Sequence, residues 1–143
     1  MRPKKPPHSG CPIDYAATMF GDRWTLLLLR DLSKGMKNFR EFAASNEGVA
    51  TNILASRLKL LERFSIVTRH IDPTNRRQVV YKLTQKGLDL TPIMLELTLW
   101  SSKYDPNTIV TKEFVGRATS HRDQFIREIV ARLASAAKHT SGK

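Results

Sequence analysis

The stretch that decides the fold is ATNILASRLKLLERFSIVTRHIDPTNRRQVVYKL, residues 50–83. Its first part places Leu54, Leu58 and Leu61 at spacings of four and three, which predicts an amphipathic helix. After this helix, apolar and polar residues alternate on both sides of DPTN, residues 72–75. Aspartate and proline at the first two positions of DPTN favour a tight turn. The stretch therefore predicts a long helix followed by a β-hairpin.

A shorter helix is predicted just before this stretch, in NFREFAAS, residues 38–45. Asn38 and Glu41 stand three residues apart, the spacing of a capping box. NEG, residues 46–48, then breaks the helix. A short helix, a turn, a longer helix with a polar face and a hairpin follow one another in the order of a winged helix-turn-helix.

Helices are also predicted on both sides of this unit. PIDYAATMF and RWTLLLLRDLS precede it, and the second, capped by Asp22, is apolar nearly all round and should be central and buried. After the hairpin, Thr84 can cap a helix over residues 85–103, in which Pro92 predicts a kink or a local irregularity. FIREIVARLASAAK, residues 125–138, is predicted to form the last amphipathic helix. The fold class is thus mainly α with a small β-hairpin.

The domain organisation follows from these elements. We expect a flexible basic arm over residues 1–10 and a winged helix-turn-helix domain with N-terminal and C-terminal dimerisation helices over residues 11–105. A C-terminal helical extension over residues 106–137 and a disordered tail over residues 138–143 complete the chain.

The charge balance favours a polyanionic partner. The 143 residues include 24 Lys and Arg against 13 Asp and Glu, a formal net charge of +11 with a pI near 10.2. Nucleic acid or an acidic membrane surface would suit such a surplus, although some very basic domains are simply soluble. The longest aliphatic run is Leu26–Leu29, too short for a membrane span, and the N-terminus lacks the apolar core of a signal peptide. A single cysteine rules out an intrachain disulfide, so a cytoplasmic protein is expected.

The polar face of the long helix is the first candidate site. In a helix-turn-helix, residues near the N-terminus of the second helix reach base edges, and lysine or arginine nearby contacts phosphates. An ordinary solvated helix face would look the same in isolation. The candidate DNA contacts on this helix are Thr51, Asn52, Ala55, Ser56, Arg57 and Lys59. Arg57 lies near the core edge, where a salt bridge to Glu41 or Glu62 is an equal alternative to a phosphate contact.

The hairpin tip is the second candidate site. A two-stranded ribbon beside a major-groove helix can reach the DNA backbone or a narrow minor groove, which attracts arginine. Polar tips are also common in hairpins with no ligand, but adjacent arginines repel each other unless an anion lies between them. The candidate wing contacts are His70, Asn75, Arg76, Arg77 and Gln78.

Cys11 is a candidate redox or electrophile sensor. It precedes Pro12 and so lies at the start of the first helix, a place that favours a thiolate, whereas Asp14 opposes it. The alternative is a small apolar residue in a dimer contact.

Surplus apolar surface predicts a homodimer. The helix after the hairpin carries two apolar stripes, and one domain buries only one of them. The alternative is that the C-terminal helices pack on each other within one chain. The predicted interface residues are Ile13, Tyr15, Leu90, Ile93, Leu97 and Trp100.

Signatures of enzymes and cofactors are absent from the sequence. The four histidines are scattered without the spacing of metal ligands, and neither a phosphate-binding glycine loop nor a nucleophile elbow occurs. We therefore expect no catalysis, no cofactor and no metal, and the sequence does not specify a small-molecule effector.

Four segments carry a resemblance to a known family. CPIDYAATMFGDRWTLLLLRDL, NFREF, GVATNILASRLKLLERFSIV and YKLTQKG resemble the HxlR family of winged helix-turn-helix regulators, within the MarR-like superfamily, from about Cys11 to Asp105. WSSKYD further resembles a subgroup with an added C-terminal segment.

The resemblance implies a homodimer whose recognition helix is residues 50–63 and whose wing is the hairpin. It also implies that a cysteine at the position of Cys11 senses oxidants or carbonyl compounds in some members, although no partner cysteine is present here. Ala50 stands where many members have a capping serine, and Thr51 is expected to take over that cap.

The function that these observations favour is a dimeric, sequence-specific transcriptional regulator that binds double-stranded DNA. The alternatives are a thiol-based sensor acting through Cys11 and a non-specific architectural protein that binds nucleic acid.

Overall fold

The structure is a computed structural model that describes residues 9–46 and 48–139. Eight helices and one two-stranded antiparallel sheet lie within these ranges. In chain order they are α1 (Pro12–Phe20), α2 (Arg23–Ser33), α3 (Phe39–Ser45), α4 (Thr51–Arg63), β1 (Val67–Ile71), β2 (Val79–Leu83), α5 (Gln85–Leu88), α6 (Thr91–Tyr104), α7 (Lys112–Ser120) and α8 (Arg122–His139). The predicted winged helix-turn-helix is confirmed, with α3 and α4 as the helix pair and β1–β2 as the wing.

The start of α3 is a complete capping box. The side chain of Asn38 accepts a hydrogen bond from the Glu41 amide at 2.9 Å, and the Glu41 carboxylate accepts one from the Asn38 amide at 3.3 Å. Glu41 also accepts from the Lys37 amide at 2.6 Å. These bonds satisfy amides that the first turn of a helix leaves without partners, so the chain enters α3 in one defined direction.

The start of α4 differs from the expectation. Ala50 is the N-cap and makes no side-chain hydrogen bond, and Thr51 is the first residue of the helix. The prediction that Thr51 takes over the cap is therefore wrong. Because its backbone is already helical, Thr51 cannot act as the cap, and its exposed side chain stays available for other contacts.

The end of α4 sets the direction of the wing. Ser65 has a positive φ of 58°, and its amide donates to the Glu62 carbonyl while the Ile66 amide donates to the Leu61 carbonyl. This is a Schellman ending with serine in place of the usual glycine. Leu61 and Ile66 are both buried, so the chain leaves the helix and enters β1 against the core.

The wing pairs Val67 with Leu83 and Ile71 with Val79. The alternation of apolar and polar residues along the strands is only partly reflected in their burial. Val67 and Val80 are both buried, although they lie on opposite faces of the ribbon. Val80 is covered because Asn38 forms a bridge to it and the Tyr81 amide donates to the Lys37 carbonyl at 2.7 Å. The wing is thus joined directly to the start of α3.

The main core lies around α2, α4 and the base of the wing. Its fully buried apolar residues are Met19, Leu28, Leu29, Leu32, Phe42, Leu54, Leu58, Leu61, Ile66 and Val67. The prediction that α2 is central is confirmed, although Leu26 and Leu27 stay half-buried.

The region after the wing is more divided than predicted. The expected helix over residues 85–103 is two helices, because α5 ends at Leu88 and Pro92 stands in the first turn of α6. Proline is tolerated there since the first amides of a helix need no intrahelical partner. The irregularity expected at Pro92 is therefore a break between helices.

The C-terminal segment packs onto the domain. Leu95 of α6, Ala118 of α7 and Phe125 of α8 form a second core, and α7 was not predicted as a separate helix. Leu133, further along α8, is also buried. The helix α8 continues to His139, so the tail predicted from residue 138 does not begin there. Residues 140–143, and residues 1–8 of the predicted arm, lie outside the described ranges.

Among the described helices, none combines the length and the apolar character needed to cross a membrane.

Candidate nucleic-acid interface

The outer face of α4 carries short polar side chains and one lysine. Thr51, Asn52, Ser56 and Lys59 are exposed, and Ala55 between them is half-buried. The opposite face holds the leucines of the main core. Small and amide-bearing side chains allow close approach to base edges, and the N-terminal turn of a recognition helix is where such contacts are made.

A buried carboxylate holds the turn between α3 and α4. Asp31 of α2 is fully buried and accepts hydrogen bonds from Ser45 at 2.9 Å and from the Asn46 amide nitrogen at 2.7 Å. Arg30 donates to Asp31 at 2.9 Å and also to Ser45 at 3.0 Å. Because Ser45 and Asn46 end α3, this network fixes the turn relative to α2.

Arg57 is held by an aspartate that sequence reasoning did not consider. Its Nε lies 3.3 Å from Oδ1 of Asp22, the N-cap of α2, and not against Glu41 or Glu62 as the salt-bridge alternative proposed. Asp22 also accepts from the amide and hydroxyl of Thr25. About a third of the Arg57 side chain stays exposed, so the contact ties α2 to α4 and leaves room for a second partner.

The pKa of Asp22 reflects these contacts. Partial burial opposes its ionisation, but the hydrogen bonds from Thr25 and the charge of Arg57 together outweigh burial and hold the pKa of Asp22 below its ordinary value. Asp22 is therefore ionised at neutral pH and attracts Arg57.

The wing tip consists of short hydrogen-bonded turns. The Asp72 carboxylate accepts from the hydroxyl and amide of Thr74, which lowers the pKa of Asp72. The side chain of Asn75 accepts from the Arg77 amide at 3.2 Å, and the Gln78 amide donates to the Asn75 carbonyl. Asn75 thus shapes the tip, and one of its side-chain atoms is already engaged.

Three arginines from different elements line one open groove between α3 and the wing. Arg77 lines it together with Arg40 from the first turn of α3 and Arg69 from β1. Asn75 and Gln78 also line it, and no carboxylate among the described residues does. The groove therefore has a strongly positive potential suited to a phosphate.

Arg40 and Arg69 are the residues that sequence reasoning missed. Arg40 stands two residues after the capping residue Asn38, on the helix that crosses the DNA backbone in this type of fold. Arg69 lies at an outward position of β1. Both signals were present in the sequence, but only the packing of α3 against the wing brings the two side chains to Arg77.

Two predicted wing contacts lie apart from this groove. Arg76 and His70 are exposed but do not line it. The His70 ring nitrogen shares a hydrogen bond of 2.8 Å with the Thr68 hydroxyl. The adjacent arginines therefore face different surroundings, and Arg77 alone of the pair lines the groove.

Cys11 is the N-cap of α1, as predicted. Its thiol is free and exposed, Pro12 follows at the first helical position, and Asp14 accepts a hydrogen bond from the Ser9 amide at 2.7 Å. A dimer contact would cover the thiol only in the assembly, so its exposure in a single chain tests neither interpretation.

The second apolar stripe of α6 is exposed. Trp100 is 67% exposed and Leu97 and Ile93 are each about 40% exposed, whereas Leu90 packs partly against the main core. The C-terminal helices do pack on α6 within the chain, as the alternative to a dimer predicts. They pack on the stripe of Leu95, however, and the other stripe stays largely exposed.

The two α1 residues of the predicted interface, Ile13 and Tyr15, differ in how exposed they are. Ile13 is 77% exposed. Tyr15 packs edge-on against Phe64, and its hydroxyl accepts a hydrogen bond from Lys86 at 2.7 Å. Tyr15 thus joins α1 to α5 and keeps only part of its ring at the surface.

Across the described parts of the chain, no group of three or more His, Cys, Asp or Glu side chains is arranged to hold a metal ion.

The model of the HxlR-like helix-turn-helix family matches residues 19–108. The chain belongs to this family. Its matched segment runs from the end of α1 through the helix pair and the wing to the residues after α6. This HxlR-like protein is a DNA-binding transcriptional regulator, which agrees with the function expected from its sequence.

Named relatives are regulators of the same type. The HTH-type transcriptional regulator YodB of Bacillus subtilis is 33% identical over 105 residues, which cover 72% of this chain and 94% of YodB. YdeP, another HTH-type regulator of Bacillus subtilis, is 32% identical over 95 residues, 66% of this chain and 74% of YdeP.

Solved structures share the fold. The quinone-bound form of YodB from B. subtilis aligns with a TM-score of 0.56 at 33% identity, over 66% of this chain and 99% of YodB. PA1607, a candidate transcription factor, aligns with a TM-score of 0.64 at 30% identity, over 72% of each chain.

Proposed function

We propose that this HxlR-like regulator binds duplex DNA as a homodimer, with α4 in the major groove and the wing on the adjacent backbone or minor groove. The observation that carries the proposal is the exposed polar face of α4 together with the arginine groove between α3 and the wing, both of which contact α4. Base contacts and phosphate contacts then come from adjoining surfaces of one rigid unit.

The side chains divide into two roles. Asn52, with Thr51, Ala55 and Ser56, reads base edges, since an asparagine amide can pair with adenine through two hydrogen bonds. Phosphates are bound by cations on three elements, which set the register of the protein on the duplex. These cations are Arg40, Lys59, Arg69, Arg76 and Arg77, with Arg57 as a further contact when it swings from Asp22. His70, Asn75 and Gln78 provide polar contacts at the wing.

Selection of DNA from a random duplex library tests this assignment. Wild-type protein should enrich a two-fold symmetric sequence, and its affinity for that sequence should exceed its affinity for unrelated duplex by at least about 1,000-fold. Equal binding to unrelated duplex would support the architectural alternative instead.

Two α4 variants then separate base reading from phosphate binding. Asn52→Ala should lose about five- to 100-fold in affinity for the selected site and relax the preference at particular base pairs. Lys59→Ala, the matched control on the same face, should weaken binding equally for all sequences. A uniform loss for Asn52→Ala would contradict its assignment to base readout.

A second function, electrophile sensing through Cys11, is supported by the exposure of this thiol and by the relative YodB, which was solved bound to a quinone. The sulfur would add to a quinone ring carbon, and the ring would gain the thiol proton. Treatment with benzoquinone should add one equivalent of mass to wild type and change its DNA affinity, whereas Cys11→Ser should show neither effect. Unchanged DNA affinity in the modified wild type would contradict the sensor function.

We further propose that this regulator acts without catalysis and in the cytoplasm, since its role is to bind DNA.

A further inference from the structure

DNA binding leaves unused a cavity behind the helix-turn-helix. It measures about 390 Å³ and lies between α2, α6 and the C-terminal helices. Small-molecule sites in proteins occupy about 300–1,000 Å³ and are mainly apolar with a few polar groups. The size of the cavity therefore suits a compact organic molecule.

The wall of the cavity is apolar. Met94 and Leu95 of α6, Phe114 of α7 and Ile129 of α8 line it, and Ile109 beside them is 93% exposed. Three hydroxyls that also line the wall donate to nearby backbone carbonyls, Thr91 to Leu88, Thr98 to Met94 and Ser33 to Leu29. The hydroxyl of Thr111 accepts from the Phe114 amide. An apolar body is thus favoured inside.

Every charged side chain that the structure describes in the lining is cationic. Arg30, Lys34 and Arg132 line the cavity, and no carboxylate from residues 9–46 or 48–139 does. Arg132 donates to the Ser33 carbonyl at 3.2 Å, which places its guanidinium at the end of α2. Three positive groups beside an apolar wall select an anion that carries a hydrophobic body.

Arg30 connects the cavity to the DNA-binding unit. Its guanidinium donates to Asp31, to Ser45 at 3.0 Å and to Asn46 at 3.3 Å, the residues that hold the turn between α3 and α4. An anion in the cavity would compete with these acceptors for Arg30. Its binding would therefore loosen the turn that orients α4.

We propose that this cavity is an effector site for a hydrophobic carboxylate, such as an aromatic acid, and that Arg30 transmits its binding to the helix-turn-helix. Much of the wall comes from residues 109–132, beyond the segment that the family model matches. The site is thus completed by the C-terminal segment of this chain.

Calorimetry on the full chain tests the site with three probes of similar shape. We expect 2-naphthoate to bind, and 2-naphthalenemethanol and 2-naphthylmethylammonium to bind at least about tenfold more weakly, because they lack the charge that the three cations attract. Absence of naphthoate binding, or equal binding of the neutral alcohol, would overturn the proposal.

Variants locate the binding. The double variant Lys34→Gln with Arg132→Gln should weaken naphthoate binding about tenfold or more. The matched control, Lys103→Gln with Arg127→Gln, removes two cations outside the cavity and should leave the affinity unchanged. Thr98→Phe should fill the cavity and abolish binding while thermal unfolding shows a folded protein. An equal loss in the control pair would place the probe elsewhere on this basic surface and overturn the site.

The coupling between naphthoate binding and DNA binding is measured with the selected duplex. Saturating 2-naphthoate should weaken wild-type binding to the selected duplex about fivefold or more, and the duplex should weaken naphthoate binding by the same factor. The Lys34 and Arg132 variant, at the same naphthoate concentration, should keep its DNA affinity. Unchanged DNA affinity of naphthoate-saturated wild type would overturn the role of Arg30, whereas loss of DNA binding without any probe would contradict the proposed function instead.

Discussion

At the scale of single residues, Asp31 shows how one buried charge can organise a binding unit. It lies on α2, outside the helix pair, yet it accepts hydrogen bonds from both residues at the end of α3. A buried carboxylate is tolerated only when several donors replace water. Arg30, Ser45 and Asn46 supply these donors, so the position of the turn depends on the Asp31 carboxylate.

Removing the Asp31 carboxylate should destabilise the fold. Asp31→Ala removes the carboxylate that accepts from Arg30, Ser45 and Asn46, and we expect a loss of about 2–4 kcal/mol in the free energy of unfolding. The range allows for the partial exposure of Arg30. Urea unfolding measures the loss, and Asp123→Ala, which removes an exposed aspartate, should change stability by less than about 0.5 kcal/mol. Equal stability of the two variants would contradict this account of Asp31.

Asp22 makes stability depend on pH in a known direction. Its pKa is lowered in the folded state, so its contribution to stability is fully present above the ordinary aspartate value of 3.8 and is lost as pH falls through the folded pKa. The stability advantage of wild type over Asp22→Asn should therefore be larger at pH 6 than at pH 3. Urea unfolding at both pH values checks this, with Asp123→Asn as the control. An advantage that grows toward pH 3 would reverse the assigned direction.

At the scale of elements, the wing and α3 act as one surface. The bridge from Asn38 to Val80 and the bond from the Tyr81 amide to the Lys37 carbonyl join them. This junction brings Arg40 next to Arg69 and Arg77. The wing therefore extends the helix-turn-helix as a fixed part, so its cations keep their spacing from α4.

The wing arginines should determine much of the salt dependence of DNA binding. Arg76→Ala with Arg77→Ala removes up to two phosphate contacts, so the slope of log affinity against log salt concentration should become shallower by about 1–2. Fluorescence anisotropy across a salt series measures the slope.

A matched variant controls for the loss of net charge. Arg127→Ala with Lys138→Ala, on α8, should leave the slope unchanged. Thermal unfolding should show that the wing variant keeps its stability, since neither of its arginine side chains is buried. An unchanged slope in the wing variant would exclude phosphate contacts at the wing tip.

At the scale of the whole molecule, the exposed apolar stripe of α6 is the surface through which we propose that two copies of the chain associate. Trp100 packs against Tyr104 with ring centroids 5.6 Å apart, and both rings are more than half exposed. Large aromatic side chains of this kind contribute most when an interface buries them. A two-fold dimer through this stripe would present two α4 helices to a symmetric DNA site.

Charge placed on the stripe should separate the proposed dimer. Leu97→Asp with Trp100→Asp should raise the dimer dissociation constant at least about 100-fold and weaken binding to the symmetric site. Sedimentation equilibrium measures the dissociation constant. Ile71→Asp, which changes an exposed apolar residue of the wing, should remain as dimeric as wild type. A double variant that stays dimeric would place the interface elsewhere.

What the sequence by itself determined was local. The capping box of α3, the cap of α2 at Asp22, the turn at DPTN and the position of Cys11 before α1 each depend on residues a few places apart. The free energies of caps and turns arise within such short segments, so their residue types alone predict them. The spacing of apolar residues also predicted the order of the helices and the hairpin, and the arginines at the hairpin tip predicted a basic wing.

Only the tertiary structure decided which distant side chains meet. The partner of Arg57 is Asp22, 35 positions away, and not a neighbouring glutamate. Arg40 reaches the groove of Arg69 and Arg77, and α7 forms as a separate helix that lines part of the cationic cavity. Such contacts depend on how whole helices pack, and packing is set by the shape of the combined core and not by any short run of residues.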